Sequence, residues 1–349
     1  MNINYDYLNE YLKTLNKSID FQKFYRTIPS TTKLARLIVS SSQEFANPSD
    51  FPIEGKISYN DSIKIATDFF KSIDPSLEAS FQSILRNDAS SVHFIVDASS
   101  QQESSINESG EIKIYLTGTT KDIFTIVHLF SHKFFHEKTL NDPDSLNFTS
   151  EVPSFTMENL LKDYLVEQNI NPQDAYNYIS QRISSTYHLA QQFLFESVVL
   201  SVYSKNLFIS KDLIKTEIAE ETNANLKEYY EANGESELNR LNYDGLSMPI
   251  IERDIIAILA SSYLKKDFSL QKLIILGQSI YGTDPVNSLE KCDLNYFMRV
   301  TKKICHIFKT TQITENTDKI LELCAIYLNE CSNVLKASKE FNSNTKRAI

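Results

Sequence analysis

From Glu151 almost to the C-terminus, apolar residues recur at three- and four-residue intervals, the spacing that lines one side of an α-helix. Gly and Pro, the residues that punctuate tight turns, number only 7 and 9 in 349 residues. That is too little for an all-β fold built on hairpins. The chain is therefore expected to be mainly α. Its helices should break at Asn171-Pro172, Ser210-Lys211, Gly234, Gly245, Gly282-Thr283-Asp284-Pro285 and across residues 311–314. Leu189 to Leu207 is apolar nearly all round and should lie at the centre.

Before Glu151 the pattern is more varied. Two short helices over residues 3–17 and 31–45 make an N-terminal helical cap, residues 1–48, set off by a break from Ala46 to Pro52. Ser58-Tyr59-Asn60-Asp61 supplies an N-cap for a helix through Ile73, and Asp74-Pro75-Ser76 starts another with proline at its first position. Ser91 to Ala98 and Glu111 to Thr117 are the strand candidates, forming a small β-sheet beside the helix that follows. The main domain is residues 49–337, and residues 338–349 form a polar, frayed tail.

A formal charge of −10 excludes a broad phosphate-binding surface, because nucleic-acid binders need clustered Lys and Arg. No nucleic-acid partner is expected. No run reaches the roughly 18 apolar residues of a membrane span, and residues 1–17 lack the unbroken apolar segment of a signal peptide. Cys292, Cys305, Cys324 and Cys331 form no Cys-x-x-Cys pair and read as reduced thiols in a helical core. The expected location is cytoplasmic, with secretion by a route lacking an N-terminal signal peptide as the alternative.

One helix carries chemistry. His128, His132 and His136 stand four residues apart, so they share a face. Ser150-Glu151-Val152-Pro153-Ser154 and Glu158 follow on the next helix. Paired histidines at i and i+4 with a carboxylate from a neighbouring helix outline a zinc site with one coordination position open. Where a zinc peptidase helix reads H-E-x-x-H, however, this one reads His128-Leu129-Phe130-Ser131-His132. Leucine cannot take a proton from water.

The run Ile112 to Thr125 leading into the histidine helix resembles the approach to the active-site helix of oligoendopeptidase F, the bacterial branch of the thimet-oligopeptidase-like zinc metallopeptidases. Lys56-Ile57-Ser58-Tyr59 and Gly282 to Leu289 resemble that family in order and spacing, so the similarity spans residues 51–300. The resemblance implies a nearly all-helical fold with a deep channel and zinc on its floor. It implies that this chain keeps the catalytic half, with residues 1–48 in place of the long N-terminal half and one channel wall missing. Carried over by position, His128, His132 and Glu151 are the metal ligands. Glu158 matches a family acidic position, read as second shell or possible acid, and His136 is read as a helix-surface or second-shell residue. The connection from His132 to Glu151 is several residues shorter than the family's.

Two departures bear on activity. Leu129 replaces the general base, a group typically worth ~10²–10⁴-fold in rate. The stretch Met248 to Ile258, which matches the family's substrate-binding histidine and tyrosines, contains neither histidine nor tyrosine to stabilise an oxyanion as they do. The expectation is a pseudopeptidase, an inactive homologue of a zinc metalloendopeptidase that binds a peptide or protein along the strand beside the histidine helix. Two alternatives stand beside it. One is an active zinc hydrolase whose base is Glu158, Glu137 or a metal-bound hydroxide acting alone; the other is a metal-free structural or effector interaction protein. The Lys-, Ser-, Asn- and Ile-rich composition suits an AT-rich bacterium.

Overall fold

A computed structural model describes residues 4–18, 29–40, 51–87, 92–96, 104–107, 111–137, 151–221, 224–244 and 331–340, with positions 261, 270, 329 and 343. The described chain is mainly helical, as the apolar spacing requires. In order, the elements are α1 (Tyr5–Ser18), α2 (Pro29–Ser40), α3 (Tyr59–Ile73), α4 (Pro75–Asn87), β1 (Val92–Val96), β2 (Ser105–Ile106), β3 (Ile112–Leu116), α5 (Lys121–Glu137), α6 (Glu151–Glu167), α7 (Pro172–Asn206), α8 (Lys211–Ala219) and α9 (Ala224–Asp244).

Local chemistry accounts for many of the boundaries. The Ser58 side chain accepts from the Asp61 amide and starts α3, and Pro75 opens α4 where its missing N–H costs nothing. Ser210 caps α8 through the Leu213 amide. The three strands lie in the order β1-β3-β2, with β1 parallel to β3 (Val92 opposite Ile112) and β2 antiparallel to it. The two-residue β2 falls in the loop that sequence periodicity leaves without structure, because two residues carry no period.

Gly234 does not break a helix. It lies inside α9, which runs unbroken to Asp244. A glycine in a helix interior costs about 1 kcal/mol relative to alanine, too little to end a helix held by tertiary contacts. The C-terminal stretch also differs from expectation, since residues 331–340 are helical and Ser338 is buried, its hydroxyl 2.6 Å from Asn177 Oδ1. Gly245, Gly282 to Pro285, residues 311–314 and the stretch Met248 to Ile258 lie outside the described residues, as do three of the cysteines; Cys331 is buried and in no disulfide among the described residues.

Two helices organise the packing. α5 lies against α3, α4, α6 and the strands β2 and β3, while α7 lies against α2, α6, α8 and α9. The apolar face of α5 (Ile123, Phe124, Ile126, Val127, Phe130) is buried, and Phe130 meets Phe81 edge to face at 4.5 Å. On α7 the buried set includes Ala190, Phe193, Leu194, Phe195, Val199, Leu200 and Val202, consistent with a central position. Among the described residues, no helix is long and apolar enough to cross a membrane.

Phe130 is nearly fully buried between α4 and α5. Phe130→Ala is expected to lower unfolding free energy by about 3–5 kcal/mol, read as a fall in the urea midpoint at unchanged slope.

Candidate metal centre

The path into α5 is fixed by one carboxylate and one glycine. Asp122 Oδ1 accepts from the Thr117 amide at 2.8 Å and Oδ2 from the Gly118 amide at 2.9 Å, closing the turn between β3 and α5. Gly118 adopts φ +71, a conformation open to glycine without strain. The turn is also pinned to the segment before α3, where Thr120 N donates to Gly55 O and Ile57 N to Gly118 O.

α5 then places His128 and His132 one turn apart. Their rings meet edge to face, and the two Nε2 atoms are 2.9 Å apart. His132 is buried and His128 partly so. On its other side, His128 Nδ1 lies 2.7 Å from Glu158 Oε1, on α6. Leu129 turns the other way, into the hydrophobic core, and is 5% exposed.

Glu158 is fully buried. Besides His128, its Oε1 accepts from Arg182 Nη2 at 2.7 Å and from the Tyr178 hydroxyl at 3.2 Å. Its Oε2 is buried with no hydrogen-bond partner among the described residues. Tyr178 stacks on Phe124 at 3.9 Å, and the Arg182 guanidinium lies over the Phe155 ring at 4.0 Å. Burial, and next the Glu158 charge, hold the Tyr178 phenol well above its ordinary pKa, so it remains a donor.

This contact set assigns the imidazole protons. A carboxylate paired with a guanidinium is an acceptor, so Nδ1 of His128 carries the proton that faces it. The two Nε2 atoms then share one hydrogen bond, with either nitrogen as its donor. A carboxylate behind one imidazole nitrogen is the arrangement that orients the other toward a metal.

The described part of the site thus fits a metal in two nitrogens and their backing. Glu151 opens α6, and its side chain lies outside the described residues, as do those of His136 and Glu137 on α5. Among the described residues, no group of three His, Cys, Asp or Glu side chains is placed to hold a metal ion. Tyr178 and Arg182 are contributors that sequence reading misses. Their only signal is a polar i, i+4 pair on one face of a helix expected to be central.

Removing the cation from a buried pair strands the anion, a loss of about 3–5 kcal/mol. Arg182→Met should therefore destabilise the protein by that order. Glu158→Gln, which leaves a partly exposed Arg182 and keeps an acceptor for His128, should cost less than Arg182→Met. Paired urea denaturation curves give the comparison.

No family model matches the sequence, and no curated protein matches it. Among solved structures, PZ peptidase A with an inhibitor superposes at a TM-score of 0.50 and 12% identity, over 95% of this chain and 59% of that one. A structure described as oligoendopeptidase F from Bacillus anthracis str. Ames gives a TM-score of 0.49 and 12% identity, over 97% of this chain and 57% of that one. The chain spans under two thirds of either protein. Its fold, a mainly helical one with a small sheet, is similar to that of PZ peptidase A.

Proposed function

We propose that the chain is a pseudopeptidase related to oligoendopeptidase F, keeping a zinc-ligand frame and acting by binding a peptide or protein. The peptidase-like unit in this proposal is residues 49–337. The observation that carries it is the surroundings of His128. The residue after it is a buried leucine, and the carboxylate that touches it, Glu158, is sealed from solvent and holds three donors on one oxygen. A general base must reach a water at about 2.6–3.2 Å, and neither residue is placed to do so.

His128 and His132, with Glu151 from the start of α6, are the residues that would hold zinc. Zinc bound there would polarise a carbonyl and lower the pKa of a bound water. The short Nε2 to Nε2 contact supports this ligand pair, because the proton shared by the two nitrogens occupies the place of a cation. The Glu151 side chain lies outside the described residues, and metal content discriminates between this reading and the metal-free one.

Peptide binding draws support from the sheet. Both outer strands, β1 and β2, have one edge without a paired strand among the described residues, and β2 and β3 pack on the histidine helix. An extended segment can add to such an edge by backbone hydrogen bonds.

Two measurements test the proposal. On a mixed peptide library the wild type is expected to show no chelator-sensitive cleavage, and such cleavage overturns the pseudopeptidase reading. Leu129→Glu should restore little activity and should melt lower, since it places a carboxylate in the core. Separately, untagged protein should take up about one equivalent of zinc, lost in His132→Ala. Less than about a tenth of an equivalent after zinc addition would end the metal frame and leave the metal-free reading.

A further inference from the structure

Glu158 distributes its contacts unevenly. One oxygen, Oε1, meets Arg182 Nη2 and His128 Nδ1, each at 2.7 Å, and the Tyr178 hydroxyl at 3.2 Å. The other, Oε2, is buried without a hydrogen-bond partner among the described residues. Leaving a buried acceptor unpaired is unfavourable, and the Glu158 side chain is only 1% exposed, so bulk water does not relieve it. A carboxylate turned to spread its donors over both oxygens would. It is held instead with Oε1 at the one point where all three donors meet.

The hold comes from α7. Arg182 lies with its guanidinium on the Phe155 ring at 4.0 Å, and the same Nη2 that donates to Oε1 also donates to the Tyr178 hydroxyl at 3.3 Å. Tyr178 in turn is fixed by its stack on Phe124 at 3.9 Å. Guanidinium, hydroxyl and carboxylate oxygen therefore close a triangle. The Phe155 ring also flanks His128, with centroids 5.7 Å apart, so Arg182 and His128 share one aromatic neighbour with Oε1 between them. A planar guanidinium can lie on a ring while aiming N–H groups sideways; a lysine ammonium, a point charge on a flexible stem, cannot do both.

We propose that Arg182 is a positioning residue for His128: acting through Oε1 of Glu158, it fixes the imidazole ring and the proton on Nδ1, and leaves Nε2 as the nitrogen a metal would take. The consequence for zinc rests on the ligand frame proposed above; the orientation of the ring does not.

Two readouts on the full chain test it. In chelator-treated protein carrying isotope-labelled histidine, nuclear magnetic resonance is expected to show the His128 Nδ1 proton protected from exchange with water, assigned by its loss in His128→Gln. Arg182→Lys, which keeps the charge, should release that proton into exchange. Tyr178→Phe, which keeps the ring on Phe124, should do so to a smaller degree and carries the comparison if Arg182→Lys does not fold. Zinc titrated calorimetrically should bind Arg182→Lys about tenfold or more weakly than the wild type, the usual effect of losing a group behind a metal-ligating imidazole. Leu238→Ala, which loosens the buried core at α9, should bind zinc as the wild type does. A wild type that takes up no zinc ends the ligand frame, and the proton readout then decides the role of Arg182 alone. A His128 proton as protected in Arg182→Lys and Tyr178→Phe as in the wild type overturns the inference, and so does an equal loss of zinc affinity in Arg182→Lys and Leu238→Ala.

Discussion

The buried carboxylate of Glu158 sets the terms for the rest of the molecule. A charge removed from water in a low-dielectric interior is costly unless it is paired and hydrogen-bonded. Here a single oxygen meets Arg182, His128 and Tyr178. Those partners come from α5 and α7, and Glu158 itself from α6, so one atom ties together the three helices that join the two packing centres. The aromatic contacts reinforce the same joint. Phe124 of α5 stacks on Tyr178 of α7, and Phe155 of α6 lies beneath the guanidinium of Arg182.

That arrangement bears on what the two histidines do beside a leucine. His128 is held through Nδ1 by the carboxylate and through Nε2 by His132. Both imidazoles therefore have hydrogen-bonding roles in the fold that do not depend on hydrolysis. A glutamate at position 129 would have no such role, because that position faces the apolar core. The same contacts also commit one oxygen of Glu158 to the helix joint.

The second region of interest lies at the other packing centre. α1 is fastened to the link between α7 and α8 by reciprocal bonds between the Asn9 side chain and Ile209, at 2.9 and 2.7 Å. α2 is fastened to the end of α8 by a bidentate Arg36–Glu221 pair. A buried network of Arg240 with Glu196 and Glu237 joins α9 to α7 nearby. The N-terminal helices thus serve as a wall for the α7–α9 cluster.

Several features were legible in the residues because they depend on neighbours in sequence. Helical spacing gives α5, α6 and α7. Ser58, Pro75, Pro172 and Ser210 mark helix starts by local capping chemistry, and alternation gives β1 and β3. The i, i+4 histidines are placed on one face by helix geometry alone, and Leu129 is visible as a residue without a titratable group. What the spacing could not decide were matters of distance between segments. Gly234 remains helical because α9 is packed, Ser338 is buried because Asn177 meets it, and Tyr178 and Arg182 join the site only when α7 is laid against α6. The sequence alone determined the helical class and the placement of His128 and His132 on one helix face, because both rest on residues within a turn or two of each other. Only the tertiary structure decided that Glu158 is sealed and shared, because burial and convergence arise when distant helices exclude water together.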